Sequence, residues 1–190
     1  MIKFPADRIY RKNGHGLWRN LAIALLLAAM MVAAWFYGVW TDQRQPVPIA
    51  GQKIYVIDGD SFVVGTRKLR LDGIDAPELR QTCDNQQVEW PCGRMARAAL
   101  EKLLLEPGLS CVAEAQDLYG RSVATCSSTS TADIAAVQVR EGMAVTHEFN
   151  GMSDYGGEEN AARAQKRGIW RGAFDSPEDW RAKNPRSAGL

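Results

Sequence analysis

Two short segments hold the residues of this chain best suited to chemistry. "VIDGDSFVV", residues 56–64, sets Asp58 and Asp60 around a glycine. "RLDGIDAPEL", residues 70–79, carries Arg70, then Asp72, Asp75 and Glu78. Asp58 sits in an Asp-Gly corner, where such residues usually only shape a turn. Asp60 starts a strand instead, and Asp75 ends one. If those strands are neighbours, the two carboxylates converge, and hard cations such as Ca²⁺ take carboxylate and carbonyl oxygens. Pro77 fixes the backbone before Glu78 and aims that side chain. Arg121 follows "DLYG" and opens a strand after a tight turn. Each residue taken singly is more often structural than catalytic. Together they form a set: two acids for a cation, one for a base, and two arginines for developing negative charge. That set suits hydrolysis of a phosphodiester.

The elements that would position these residues can be read from periodicity. "QKIYVID" and "DSFVVG" are β-branched and aromatic, with Asp58-Gly59 between them as a hairpin signal. "TRKLRLDGID" makes a third strand, with Leu69 and Leu71 on one face and Lys68 and Arg70 on the other. Gly73 permits a bulge there. Residues 82–92 read as a loop. "GRMARAALEKLLLEPG" reads as a helix with a stripe of Met95, Ala98, Ala99 and Leu103, stopped at Pro107-Gly108. Two strands, "LSCVAEAQ" and "RSVATCSS", flank "DLYG". "TADIAAVQVREGMA" is a second helix, with Thr131 or Asp133 near its cap and Gly142 as its stop. "EENAARAQKRGIW" is a third, stopped at Gly168. Three strands, a helix, two strands and two helices fit an α+β, OB-fold five-stranded barrel with three helices. A mixed α+β sandwich fits the pattern nearly as well.

Outside this region the chain changes character. Residues 21–40, "LAIALLLAAMMVAAWFYGVW", carry no charge. Twenty residues at about 1.5 Å each span roughly 30 Å, the thickness of a bilayer core. Trp35, Phe36, Tyr37 and Trp40 gather at the far end like an interfacial belt. Residues 1–20 hold five Lys/Arg and one acid. This basic flank predicts a cytoplasmic N-terminus and an extracytoplasmic remainder. A cleaved signal peptide is the rival reading, but "WTDQRQPVPIAG" offers no convincing cleavage site. The expected organisation is a basic segment over 1–20, a transmembrane anchor over 21–40, a linker over 41–51, a folded domain over 52–175 and a tail over 176–190. The tail, "PEDWRAKNPRSAGL", is expected to end disordered, with Trp170, Phe174 and Trp180 packed on the barrel. Beyond residue 20 the count is 18 basic against 21 acidic residues, which disfavours tight non-specific binding of nucleic acid.

The four cysteines, Cys83, Cys92, Cys111 and Cys126, all follow the apolar segment. An even count outside the cytoplasm favours two disulfides. Cys83–Cys92 would close a short loop. In an antiparallel pair centred between Leu118 and Tyr119, Cys111 lies opposite Cys126, and opposed Cα atoms suit a disulfide.

"VIDGDSF", "LRLDGIDAPE", "DLYGR", "REGMA" and "GIW" occur in the order and approximate spacing of the staphylococcal nuclease-like (thermonuclease) family, which this chain resembles over about residues 52–172. The resemblance implies the OB-like barrel and specific roles. Asp60 and Asp75 resemble the family's Ca²⁺ carboxylate ligands, and Ala76 the position whose backbone carbonyl completes the protein's share. The family's best-studied member has threonine there, but only the carbonyl is needed. Glu78 resembles the general base that activates water. Arg70 and Arg121 resemble the pair that holds the phosphate and stabilises the five-coordinate transition state. The implied reaction cleaves DNA or RNA to 3′-phosphate products. Asp58 then caps the hairpin, and Asp72 faces solvent or a nearby arginine.

The sequence also departs from the family pattern. Leu118 stands where a lysine often precedes the tyrosine. Tyr119 is kept and is expected to contact a nucleotide phosphate. "VTHEFN" replaces a stretch where tyrosines often stack on nucleotide, leaving Phe149 or Tyr155 as substitutes. His147 is expected at the surface. The cofactor expected is Ca²⁺, and the partners are a DNA or RNA substrate and the bacterial inner membrane through the N-terminal helix. No protein partner is implied, and a monomer is expected. The alternative is a catalytically weak nuclease-like OB module that binds oligonucleotide or polysaccharide in the cell envelope.

Overall fold

A computed structural model describes residues 15–41, 45–86, 88–147 and 155–185. The chain divides into two units, Met1–Asp42 and Gln43–Leu190. The first contains α1, His15–Thr41. Within it Trp18–Phe36 is long and apolar enough to cross a membrane, and none of it is buried. A signal sequence shares these properties. Trp35 and Phe36 meet edge to face at 5.2 Å.

In the second unit, β1 (Gln45–Pro46), β2 (Ile54–Val56), β3 (Ser61–Val64), β4 (Arg67–Leu71), β8 (Ser110–Gln116) and β9 (Ser122–Ser127) form one sheet in the order β1-β8-β9-β4-β3-β2. The first three strands of the sequence reading form the expected antiparallel meander. β4 runs parallel to β9, placing Arg70 beside Val123. The linker expectation gives way at Gln45. Gln45 and Pro46 pair with Ala113 and Val112, and Val47 is buried in the core. β3 and the alternating burial on β4 and β9 point Phe62, Leu69, Leu71 and Ala124 into that core, where Leu100, Ile134 and Val139 join them. The result is a mixed α+β domain, in which five main strands carry the two-residue β1 at one edge.

The third strand is shorter than its sequence pattern. It breaks at Asp72-Gly73, where Gly73 takes φ +70°. β5, Ile74–Asp75, then pairs with β10, Val145–Thr146. Past the break Asp75 is buried yet within reach of Arg70, although unbroken alternation would put the two on opposite faces. The expected loop over 82–92 contains a hairpin, β6 (Cys83–Asn85) against β7 (Val88–Trp90). Cys83 and Cys92 are bonded across it, and Cys111–Cys126 bridges opposed positions of β8 and β9.

Helix α2 spans Cys92–Leu104. Its buried residues are Cys92, Gly93, Ala96, Leu100 and Leu104, one step away from the predicted stripe. Met95 is left 48% exposed. The cause is close approach at the N-terminal end. A Cβ on Gly93 would lie 1.8 Å from the Glu78 carbonyl oxygen. One on Gly59 would lie 2.7 Å from the Cβ atoms of both Ala76 and Ala96. Small residues therefore face inward where apolarity alone favours Met95.

Helix α3, Ile134–Arg140, is capped by Asp133, whose carboxylate accepts from the Ala136 N–H. Helix α4, Gly156–Ala164, stops four residues before Gly168, and a 3₁₀ turn follows over Gly168–Arg171. The tail forms one further helix, α5, Pro177–Lys183, capped by Ser176. Pro177 is buried and Trp180 half-buried, while Trp170 and Phe174 pack around the Cys83–Cys92 bridge and Ile169. His147 is exposed. Tyr155 donates to Asp133 at 3.0 Å and packs on the core, while Phe149 lies outside the described residues.

Candidate active site

The β2–β3 corner is built by Asp58. Its Oδ1 accepts from the Asp60 N–H at 3.1 Å and the Ser61 N–H at 2.8 Å. Burial, then the nearby Asp60 charge, push the Asp58 carboxyl up to about 7. This corner delivers Asp60 and Ser61, both buried, to the end of β3. Ser61 pairs with Arg70 across the β3–β4 ladder.

Arg70 then bridges the two acids. Its Nη1 donates to Asp60 Oδ1 at 3.0 Å, and its Nη2 to Asp75 Oδ1 at 2.9 Å and the Ile74 carbonyl at 3.0 Å. Asp60 Oδ2 also accepts from the Ala76 N–H at 3.0 Å. Burial alone would lower the guanidinium's proton affinity, but the flanking Asp60 and Asp75 charges outweigh it and raise it. Asp72 stays at the turn, accepting from the Gly73 N–H at 2.8 Å.

Arg121 joins the same network from the β8–β9 turn. Its Nε donates to Asp117 at 2.6 Å, and its Nη1 reaches the Ser61 hydroxyl at 3.2 Å. Ser61 Oγ in turn donates to Asp60 Oδ1 at 2.6 Å. Both arginines thus meet Asp60, one directly and one through Ser61. Tyr119 is 83% exposed, with the Arg121 guanidinium 5.6 Å from its ring centre. Leu118 is fully exposed.

Glu78 enters through α5. Arg181 donates to both Asp75 oxygens, at 3.0 and 2.8 Å, and to Glu78 Oε1 at 3.3 Å. Burial pushes the Asp75 carboxyl up, but Arg181 and Arg70 together hold it below its ordinary value. Gln81, buried, fixes this corner. Its amide oxygen accepts from the Glu78 N–H at 3.1 Å, and its Nε2 donates to the Asp175 carbonyl at 2.7 Å. Sequence reasoning missed Ser61, Gln81, Asp117 and Arg181. Asp117 carried a signal, since a turn aspartate four residues before Arg121 is within reach of it. The reach of Arg181 to Asp75, across 106 residues, had none.

The arrangement brings Asp60, Arg70, Asp75, Glu78 and Arg121 into one connected network. Tyr119 flanks it through Arg121. Among the described residues, no three His, Cys, Asp or Glu side chains gather closely enough to hold a metal ion alone. A metal here would need the hard oxygens of Asp60 and Asp75 together with a carbonyl such as that of Ala76. The donors suit such a group, because Asp75 and Glu78 already hold a cation, the Arg181 guanidinium.

The sequence profile described as "Staphylococcal nuclease homologue" matches residues 68–172, more than half of the chain. The chain belongs to the staphylococcal nuclease family. It is similar to "Succinoglycan biosynthesis protein ExoI" of Rhizobium meliloti (strain 1021), 32% identical over 151 residues, covering 78% of this chain and 75% of that protein. It is also similar to an "Uncharacterized endonuclease" of Escherichia coli O157:H7, 30% identical over 134 residues, covering 68% of this chain and 82% of the other. A "Probable endonuclease LCL3" of Verticillium alfalfae is 31% identical over 138 residues, covering 65% of this chain. The match spans about half of that longer protein, 47%. Membership of this nuclease family and the endonuclease names of these relatives point to nuclease activity in general.

Proposed function

We propose that this protein is a Ca²⁺-dependent phosphodiesterase that hydrolyses DNA or RNA to 3′-phosphate products, held by α1 at the outer face of a bacterial inner membrane. The observation that carries the reading is the convergence of Arg70 and Arg121 on Asp60, with Asp75 and Glu78 bound to one further cation. Asp60 and Asp75, with the Ala76 carbonyl, would hold Ca²⁺. When bound, the ion supplies Lewis-acid charge at the phosphoryl oxygens. Glu78 takes a proton from the attacking water. Arg70 and Arg121 bind the phosphate and meet the charge that grows on it, and Asp117 and Ser61 keep the Arg121 fork oriented. Tyr119, exposed beside Arg121, contacts a neighbouring phosphate. The disulfides suit an oxidising compartment.

The test is a series of single variants, Arg70→Ala, Glu78→Gln and Arg121→Ala. Each should lower the cleavage rate by about 10²-fold or more, by analogy with loss of a transition-state donor. Near wild-type rates in all three would sink the assignment.

A second reading is supported by the relative named for succinoglycan biosynthesis. On that reading the domain is a catalytically weak module that binds polysaccharide or oligonucleotide in the cell envelope. It accords with 18 basic against 21 acidic residues beyond residue 20. The variant series separates the two, because a binding module has no cleavage rate to lose.

A further inference from the structure

Beside the site lies a groove of about 550 Å³ between residues 79–82 and one face of α2. Arg80, Arg94 and Arg97 line it, with Glu101 as its one acid. Elsewhere in the domain Arg70, Arg121, Arg140, Arg163, Arg167 and Arg181 each form an ion pair, whereas Arg67 and Arg171 form none among the described residues. None of the three groove arginines forms one among the described residues. Arg97 is the most constrained. Its guanidinium lies 5.4 Å from the ring centre of the exposed Tyr55, and its Nε is buried with no hydrogen-bond partner among the described residues. A buried donor without an acceptor is costly and calls for one. The groove adjoins the site along the chain, for Arg80 follows Glu78 by two residues and Gly93, at the start of α2, packs against the Glu78 carbonyl.

We propose that this groove is the track for a single strand of nucleic acid leaving the cleavage site, with Arg80, Arg94 and Arg97 holding its phosphates. The inference rests on the nuclease reading above. The charge is complementary, and local cationic focus answers the acidic balance of the domain. A space of this volume is that of a small-molecule cleft and admits unpaired nucleotides. Tyr55 offers an aromatic edge beside the track.

The test uses the full chain in detergent. Its affinity for a labelled single-stranded oligonucleotide is measured in EGTA across a salt series. Its turnover of a dinucleotide, the shortest substrate with a phosphodiester to cleave, is measured with Ca²⁺. Replacing all three arginines by Gln should make the slope of log K against log salt shallower by about 2, or roughly 0.7 per lost phosphate contact. It should leave dinucleotide turnover unchanged. Arg80→Gln and Arg94→Gln, both at exposed positions, should each give about a third of the effect without risk to folding. Active protein with an unchanged slope overturns the track. So does an effect seen only with an anionic polysaccharide. A wild-type protein that cleaves neither substrate overturns the nuclease reading, and the track with it.

A separate observation concerns Arg181. Its contacts with Asp75 and Glu78 put a side-chain cation where the site's acids would need one. The geometry points to Arg181 as an internal counter-cation that a metal ion must displace from Asp75. Removing a competing cation strengthens metal binding, whereas losing a merely structural contact does not. Calorimetric titration of Ca²⁺ into the substrate-free full chain should show Arg181→Gln binding roughly twofold to fivefold tighter than wild type, the scale of one partly exposed ion pair. Arg181→Lys should fall between them. Equal or weaker binding by Arg181→Gln overturns the inference. Absence of binding in every form overturns the Ca²⁺ assignment itself.

Discussion

Ser61 shows how much of this site depends on a residue with no catalytic signature of its own. Its hydroxyl donates to Asp60 and accepts from Arg121, so two segments 60 residues apart share one hydrogen-bonded centre. The charged members were legible because carboxylates and arginines recur at turn and strand ends in "VIDGDSF", "RLDGIDAPE" and "DLYGR". Ser61 and Gln81 were not, because a serine in a strand and a glutamine in a loop carry no periodic signal. Asp58 behaves as the sequence suggested, as the cap of the corner, but its burial beside Asp60 adds a consequence. Its carboxyl is raised from 3.8 to about 7. Between those values the folded protein keeps a proton that the unfolded chain has released, so metal-free stability falls as pH rises through that window. Asp58→Asn keeps an oxygen for the Asp60 and Ser61 N–H groups and removes the titration. Its melting temperature should exceed that of wild type at about pH 8, with the gap closing towards about pH 4. A gap independent of pH would contradict this account of Asp58.

At the scale of elements, the meander, the β8–β9 hairpin and the capped α3 followed from alternation, turn residues and a cap. The misreadings share a physical reason, since each depends on contacts far away in sequence. The α2 stripe is set by close approach of Gly93 and Ala96 to residues 59–79. β1 is polar and proline-bearing, yet it finds β8. α5 is rich in charge, but its Arg181 is directed at Asp75 and Glu78 and its Lys183 at Asp175. The β1 finding has a practical consequence. A soluble fragment begun at Gln52 loses the buried Val47 and its N–H bond to the Cys111 carbonyl at 2.8 Å. It should be less stable than one begun at Gln43 by about 2–3 kcal/mol, the sum of a buried valine and one hydrogen bond. Urea midpoints of the two fragments decide this, and equal midpoints would show that β1 contributes nothing.

At the scale of the whole molecule, a basic N-terminal segment, an apolar helix and a disulfide-bearing domain follow one another along the chain. The proposed anchoring predicts that the intact 21.0 kDa chain stays with the membrane fraction after high-salt washing. Recovery of a shortened soluble form cut near residue 41 would assign α1 to a cleaved signal instead. Family membership was legible because five short motifs in fixed order survive where overall identity is near 32%. The departure at Leu118 lies on the exposed β8–β9 turn, whereas "VTHEFN" begins with β10, the strand that pairs with Ile74 and Asp75.

The central claim is that these acids hold a metal and activate water at a phosphodiester. The most direct measurement is cleavage of single-stranded DNA and RNA by the full chain in detergent, with Ca²⁺ or with EGTA, beside Glu78→Gln. The account predicts Ca²⁺-dependent cleavage leaving 3′-phosphate ends, lost in the variant. A folded, Ca²⁺-binding protein that leaves both substrates intact would contradict it.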